Sequence, residues 1–187
     1  STAWINAGTT ADIREARAKI QRGQALFNSK TFTITGVNGL NDRFGQPSVT
    51  ATCTTCHNTP NVGNHSSRFD VAIGIANVVF DPATGGRFAP AGIDTDISDF
   101  PMFTLKNNTT DEIMRVSDLG LASVTGRWAD IGKFKVAVPR NLESRSPYFH
   151  NRMPFDIEHL VEFYNQRFNI GFSDAEKSDI TTFLKAL

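Results

Sequence analysis

The sequence predicts an all-α chain with long irregular loops, and three observations carry that reading. Apolar residues recur at helical spacing in separate stretches near the start and the end of the chain. Between them lie runs rich in Gly, Pro, Thr and Asn, without the strict alternation that marks a half-buried strand. The 187 residues are 40% hydrophobic and 20% charged, which is enough apolar material for one packed domain over residues 1–187 and unlike a disordered chain. Nineteen Lys and Arg balance 19 Asp and Glu, which excludes a strongly basic nucleic-acid binder. No apolar run approaches the roughly 18 residues of a membrane-spanning helix. The longest, Val71 to Phe80, is broken by Gly74 and Asn77.

The elements follow in order. Residues 12–28 read as a helix with Ile13, Ala16, Ile20 and Phe27 on one face, Arg14, Arg17, Lys19 and Arg22 on the other, and Asp12 with Glu15 as a capping box. Residues 29–52 lack periodicity and read as loop. Residues 81–101 hold Asp-Pro, Gly-Gly, Ala-Pro-Ala-Gly and Phe-Pro, the punctuation of a long surface excursion. Thr109 and Glu112 have capping-box spacing and predict a short helix. Residues 155–166 predict a helix with an apolar stripe of Ile157, Leu160, Val161, Tyr164 and, just beyond, Phe168. Gly171 breaks it. Ser173 and Glu176 then cap a last helix carrying Ile180, Phe183, Leu184 and Leu187.

The chemistry concentrates in one place. The two cysteines of the chain, Cys53 and Cys56, are separated by two residues and followed at once by His57. C-x-x-C-H is the pattern of c-type haem attachment. Two thiols add across the two vinyl groups, and the next residue sets its imidazole beneath the iron. A thioredoxin-like dithiol belongs beside a βαβ pattern, which is not found here. A structural zinc site needs four ligands, and His65, His150 and His159 are too scattered to complete one. A Cys53–Cys56 disulfide closes only a short, strained loop. One motif implies one covalently attached haem c, and thioether assembly outside the bacterial cytoplasm implies a periplasmic location. No signal-peptide layout is visible. A few helices around a haem suit an all-α, cytochrome c-like domain. Fifteen phenylalanines suit a flat apolar pocket, although they suit an ordinary core equally.

The closing third adds a resemblance. VPRNLESRSPYFHN, then IEHLVEFYN, then FSDAEKSDITTFLKAL, together with CTTCHNTPNVG, resembles the C-terminal haem domain of the bacterial dihaem cytochrome c peroxidase and MauG family. The resemblance covers residues 12–28, 50–63 and 125–187. Residues 75–105 read as an insertion. It departs from the family in three places: one haem motif stands where the family has two, Arg152 follows His150-Asn151 where the family has glycine, and Arg145 replaces a threonine that helps bind calcium. Calcium is therefore not carried over. The acidic run Asp94, Asp96, Asp99 lacks the layout of an EF-hand and reads as a solvated turn.

The second axial position has several candidates: Met102, Met114, Met153, His150, His65, Tyr148 and Tyr164. Methionine is the commonest partner in electron-carrying cytochromes c. Tyr164 lies on the apolar face of its helix, shortly before the last one. The resemblance implies the same residue, because the family's axial position falls fourteen places after the histidine of Pro147-Tyr148-Phe149-His150. Met153 is the second choice and an open position the third. His150 is implied to shape the pocket, and His159 reads as solvated. Arg140 is the candidate to pair with a haem propionate, since an arginine fork matches a carboxylate. Trp128 either edges the haem or fills core. Arg127, Lys133, Lys135, Arg140, Arg145 and Arg152 against Asp130 and Glu143 form a basic stretch that suits either a docking face or a solvated surface. The expected function is electron transfer between periplasmic redox proteins. The alternative is a peroxidase or MauG-like oxidoreductase with an open or displaceable iron position.

Overall fold

The computed structural model describes residues 2–57, 70–75, 79–80, 87–88, 101–150, 152 and 154–187, with 79–80 and 87–88 as backbone only. His65, Met153, the run Asp94, Asp96, Asp99 and much of the expected 75–105 insertion lie outside these.

The chain opens with a short helix α1 (Thr2–Asn6) and the long α2 (Ala11–Ser29). The cap of α2 is Thr10, whose Oγ1 accepts from Ile13 N–H at 3.2 Å, two residues earlier than the Asp12–Glu15 spacing predicted. Its apolar stripe is buried only toward the C-terminal end: Phe27 is buried and Ile20 half-buried, while Ile13 and Ala16 are exposed. The expected loop over 29–52 contains regular structure. β1 (Phe32–Thr35) pairs antiparallel with β2 (Ser48–Ala51) around the one-turn α3 (Asn41–Phe44). Asn41 holds this turn: its side chain accepts from Val37 N–H at 2.9 Å and donates to the carbonyls of Ile34 and Gln46. One turn of helix, α4 (Cys53–Cys56), follows directly.

Five short strands come next: β3 (Asp70–Val71), β4 (Val79–Phe80), β5 (Arg87–Phe88), β6 (Phe103–Lys106) and β7 (Ile113–Val116). β4 pairs with β5 and β6 with β7, both antiparallel. The helix expected after Thr109 is thus the turn of a hairpin. Asn107 Oδ1 accepts from Thr109 N–H at 2.9 Å and Thr110 N–H at 3.3 Å, an Asx-type turn that reverses the chain before a helix can start. A one-turn helix α5 (Ala122–Thr125) and a 3-10 turn at Trp128–Asp130 lead to β8 (Phe134–Lys135), which pairs antiparallel with β3. Four two-stranded ladders among the described residues correct the expectation of an all-α chain.

The closing helices form as expected. α6 (Ile157–Arg167) is capped by Asp156, which accepts from His159 N–H at 2.8 Å. α7 (Asp174–Lys185) begins with a reciprocal box: Ser173 Oγ accepts from Glu176 N–H, and Glu176 Oε2 accepts from Ser173 N–H at 2.8 Å. α6 buries more than its predicted stripe. Phe163, on its other side, is 0% exposed and sits edge-on to Phe149 at 5.0 Å.

The main packing joins the two ends of the chain. α2 crosses α7 at Gly23, where a Cβ would lie 2.1 Å from the Asp179 carbonyl oxygen. Beside the crossing, Arg22 grips Asp179 with two bonds of 2.7 and 2.9 Å, and Phe27 packs on Phe183 with ring centres 5.5 Å apart. Lys30 closes the far end of the contact on Glu176 at 2.8 Å. No helix among the described residues is long and apolar enough to cross a membrane.

Candidate functional site

The Cys-x-x-Cys-His segment is one closed turn. His57 N–H donates to Cys53 O at 2.9 Å, so residues 53–57 follow a single helical turn. Thr52 N–H donates to Thr55 Oγ1 at 3.0 Å and fixes its start. Both cysteines are free and half-buried, and both line one cavity together with His57. Burial pushes the Cys53 thiol up to about 12 and raises that of Cys56.

The cavity measures about 220 Å³. α2 supplies Phe27, the β1–β2 region Ile34 and Val37, β3 Val71, and the closing helices Leu160, Val161 and Tyr164 on one side and Ile180 and Leu184 on the other. Six consecutive residues, Phe134 to Pro139, form one wall. His57 is anchored to that wall, with Nδ1 3.0 Å from the Ala137 carbonyl oxygen. A carbonyl only accepts, so Nδ1 carries the proton and Nε2 keeps its lone pair. Burial lowers the imidazole's pKa, against the opposing effect of the Ala137 bond, and so favours the neutral ring.

The chain is similar to bacterial cytochrome c peroxidases. It is 26% identical over 179 residues to cytochrome-c peroxidase IdrP1 of a Pseudomonas species, covering 89% of this chain and 39% of that protein. Cytochrome-c peroxidase IdrP2 of Denitromonas iodatirespirans is 35% identical over 78 residues, 38% of this chain and 21% of its own length. Cytochrome c551 peroxidase of Nitrosomonas europaea is 41% identical over 69 residues, 36% of this chain and 21% of that protein. The chain thus spans well under half the length of the relatives it matches. No family model and no solved structure matches it.

The predicted site residues fall into three groups. Cys53, Cys56, His57 and Tyr164 meet in the cavity. Tyr164 is packed among Phe163, Phe168 and Phe149, at ring distances of 5.4, 6.1 and 6.3 Å. Burial raises its phenol pKa, and the two thiols add to that shift. Tyr148 also lines the cavity, but its hydroxyl donates to the Leu142 carbonyl at 3.0 Å. Other residues sit outside the wall. Arg140 is exposed and follows the lining residue Pro139 without lining the cavity itself. His150 lies 3.3 Å from Asp118 and rests edge-on against Phe134, a cavity-lining residue, at 4.6 Å. His159 is exposed and 2.6 Å from the capping carboxylate of Asp156. Met102, Met114 and Trp128 are half-buried away from the cavity. Met153 and His65 lie outside the described residues.

Sequence reasoning missed the Ala137 carbonyl and the 134–139 wall. A backbone acceptor leaves no mark on side-chain pattern. The one available signal was the apolar Val136-Ala137-Val138 run between Lys135 and Pro139.

Proposed function

We propose that residues 1–187 form a single cytochrome c-like domain that holds one haem c through thioethers at Cys53 and Cys56, with His57 as an axial ligand, and that passes single electrons between redox proteins in the periplasm. One observation carries the reading: a single turn sets two free thiols and a carbonyl-tethered histidine on the wall of one apolar cavity. The donor set fits the group. A metal-bound histidine characteristically donates its other ring N–H to a carbonyl, which holds the ring and its tautomer. When bound, the haem supplies a one-electron iron couple tuned by axial ligand and burial.

The remaining roles belong to this chain's own residues. His57 presents Nε2, oriented by Ala137. Tyr164 is the proposed second axial ligand, with Met153 as the alternative and an open position after that. The phenylalanine and aliphatic wall excludes water. Arg140, which follows Pro139 in the chain, is a candidate cation for the propionate edge. The 75–105 stretch is read as an insertion into this domain.

Mass spectrometry of the denatured chain tests the first step. The expected result is one haem added to the polypeptide mass, and a bare polypeptide overturns the reading. A peroxidase function is the second reading, favoured by the names of the relatives. Residues 1–187 carry one C-x-x-C-H motif, which suits a one-electron carrier. Peroxide consumption with a small reducing dye separates the two. Negligible turnover is expected, and steady turnover of about 1 per second or faster assigns the chain to the enzymes.

A further inference from the structure

The cavity wall contains one side chain that the cofactor chemistry above leaves unused. Among the described residues that line the cavity, Lys135 is the one with a permanent charge at neutral pH. It is exposed, so it stands at the rim rather than in the depth. Its backbone is fixed by the ladder with Asp70, and it lies two residues before the Ala137 carbonyl that tethers His57. The ammonium makes no hydrogen bond or ion pair among the described residues.

Neighbouring cations are engaged elsewhere. Lys133 pairs with Asp130 at 3.4 Å, and Arg145 donates to the Val138 carbonyl at 3.3 Å. Arg167 donates to the Ile73 carbonyl at 2.8 Å and to the carbonyls of Thr35 and Gly36 at 3.4 and 3.5 Å. None of these three lines the cavity.

A haem brings two carboxylates. An apolar wall gives them no hydrogen bonds, and burying an unpaired charge is costly. Their edge must therefore sit where the wall turns polar. We propose that Lys135 binds the carboxylate edge of the cofactor at the cavity rim. This rests on the haem reading above. Lysine serves this position well, because its flexible stem lies along apolar surface while its head stays wet. Asp70, half-buried, stands opposite Lys135 on the ladder without reaching ion-pair distance.

The test uses the haem-loaded chain and three variants: Lys135→Gln, Lys135→Arg and Lys106→Gln. The last removes a charge from the β6–β7 hairpin, outside the cavity. A cation beside the cofactor favours the reduced state. Lys135→Gln is expected to shift the ferric–ferrous equilibrium toward ferric by about two- to fivefold, the range for an exposed ion pair. Lys135→Arg should keep most of the parent value, and Lys106→Gln should shift it less than Lys135→Gln. In a solved structure of the loaded chain, a propionate oxygen should lie within ion-pair distance of Lys135 Nζ. Equal potentials in all four proteins, or propionates that meet Arg140 and leave Lys135 in solvent, overturn the assignment while leaving the haem reading intact. A chain that takes up no haem overturns both.

Discussion

His57 shows how much a single side chain depends on a bond made far along the chain. Its ring is held by the carbonyl of Ala137, and that bond selects both orientation and tautomer. Tyr164 lacks such a tether. No hydrogen bond to its hydroxyl forms among the described residues, and burial raises the cost of its phenolate. A phenol with an ordinary pKa of about 10 therefore ligates at neutral pH only if the ferric charge compensates. Phenolate favours ferric iron, so Tyr164→Phe is expected to change the ferric optical spectrum and raise the midpoint potential. The ring contacts with Phe163 and Phe168 survive the change, and the loss in unfolding free energy should stay below about 1 kcal/mol. If the Tyr164→Phe spectrum is unchanged and Met153→Leu alters it, the ligand is Met153.

The crossing of α2 and α7 is the element on which the rest is stacked. Gly23 allows the helices to touch backbone to backbone, with Asp179 O and Phe183 Cβ only 2.1 and 2.6 Å from where a Cβ would stand. Alanine is the better helix former by about 1 kcal/mol, so helix propensity alone predicts that Gly23→Ala stabilises. The clash is with backbone, which cannot swing aside, and overpacking of this kind costs about 1–3 kcal/mol or more. A net loss of stability is therefore expected in denaturant unfolding, and a gain would show that the helices slide apart freely. The long helices were legible because their apolar spacing and the Ser173–Glu176 box coincide. The same box spacing at Thr109–Glu112 misled because Asn107 captures both threonine amides first. β1 and β2 escaped notice because each buries one residue, Ile34 and Ala51, and two buried side chains make no pattern. Their Thr and Val content was the weak signal present.

At the scale of the molecule, the cavity is built from residues 27–57, 71–75 and 134–184, and the β6–β7 hairpin takes no part in it. Spacing pointed to the cysteines and His57 because they lie within one turn. It reached Tyr164 through helix periodicity and the counted distance from His150. The opposite wall was beyond it, since only folding brings Ala137 to His57. The meeting of α2 with α7 also has a consequence in time. A chain synthesised from its N-terminus has Cys53 and Cys56 available long before Asp174–Lys185 exists. The bonds that close the attachment turn run within residues 52–57, whereas the bond that orients the His57 ring waits for Ala137. On the haem reading proposed above, the thioethers need only this turn while the closed cavity needs Ile180 and Leu184, which makes α7 the latch over the cofactor. A chain ending at Gly171 is expected to carry haem covalently yet be cut by protease far faster than the full chain. A truncated chain of bare mass would show instead that the thiols wait for the last helix.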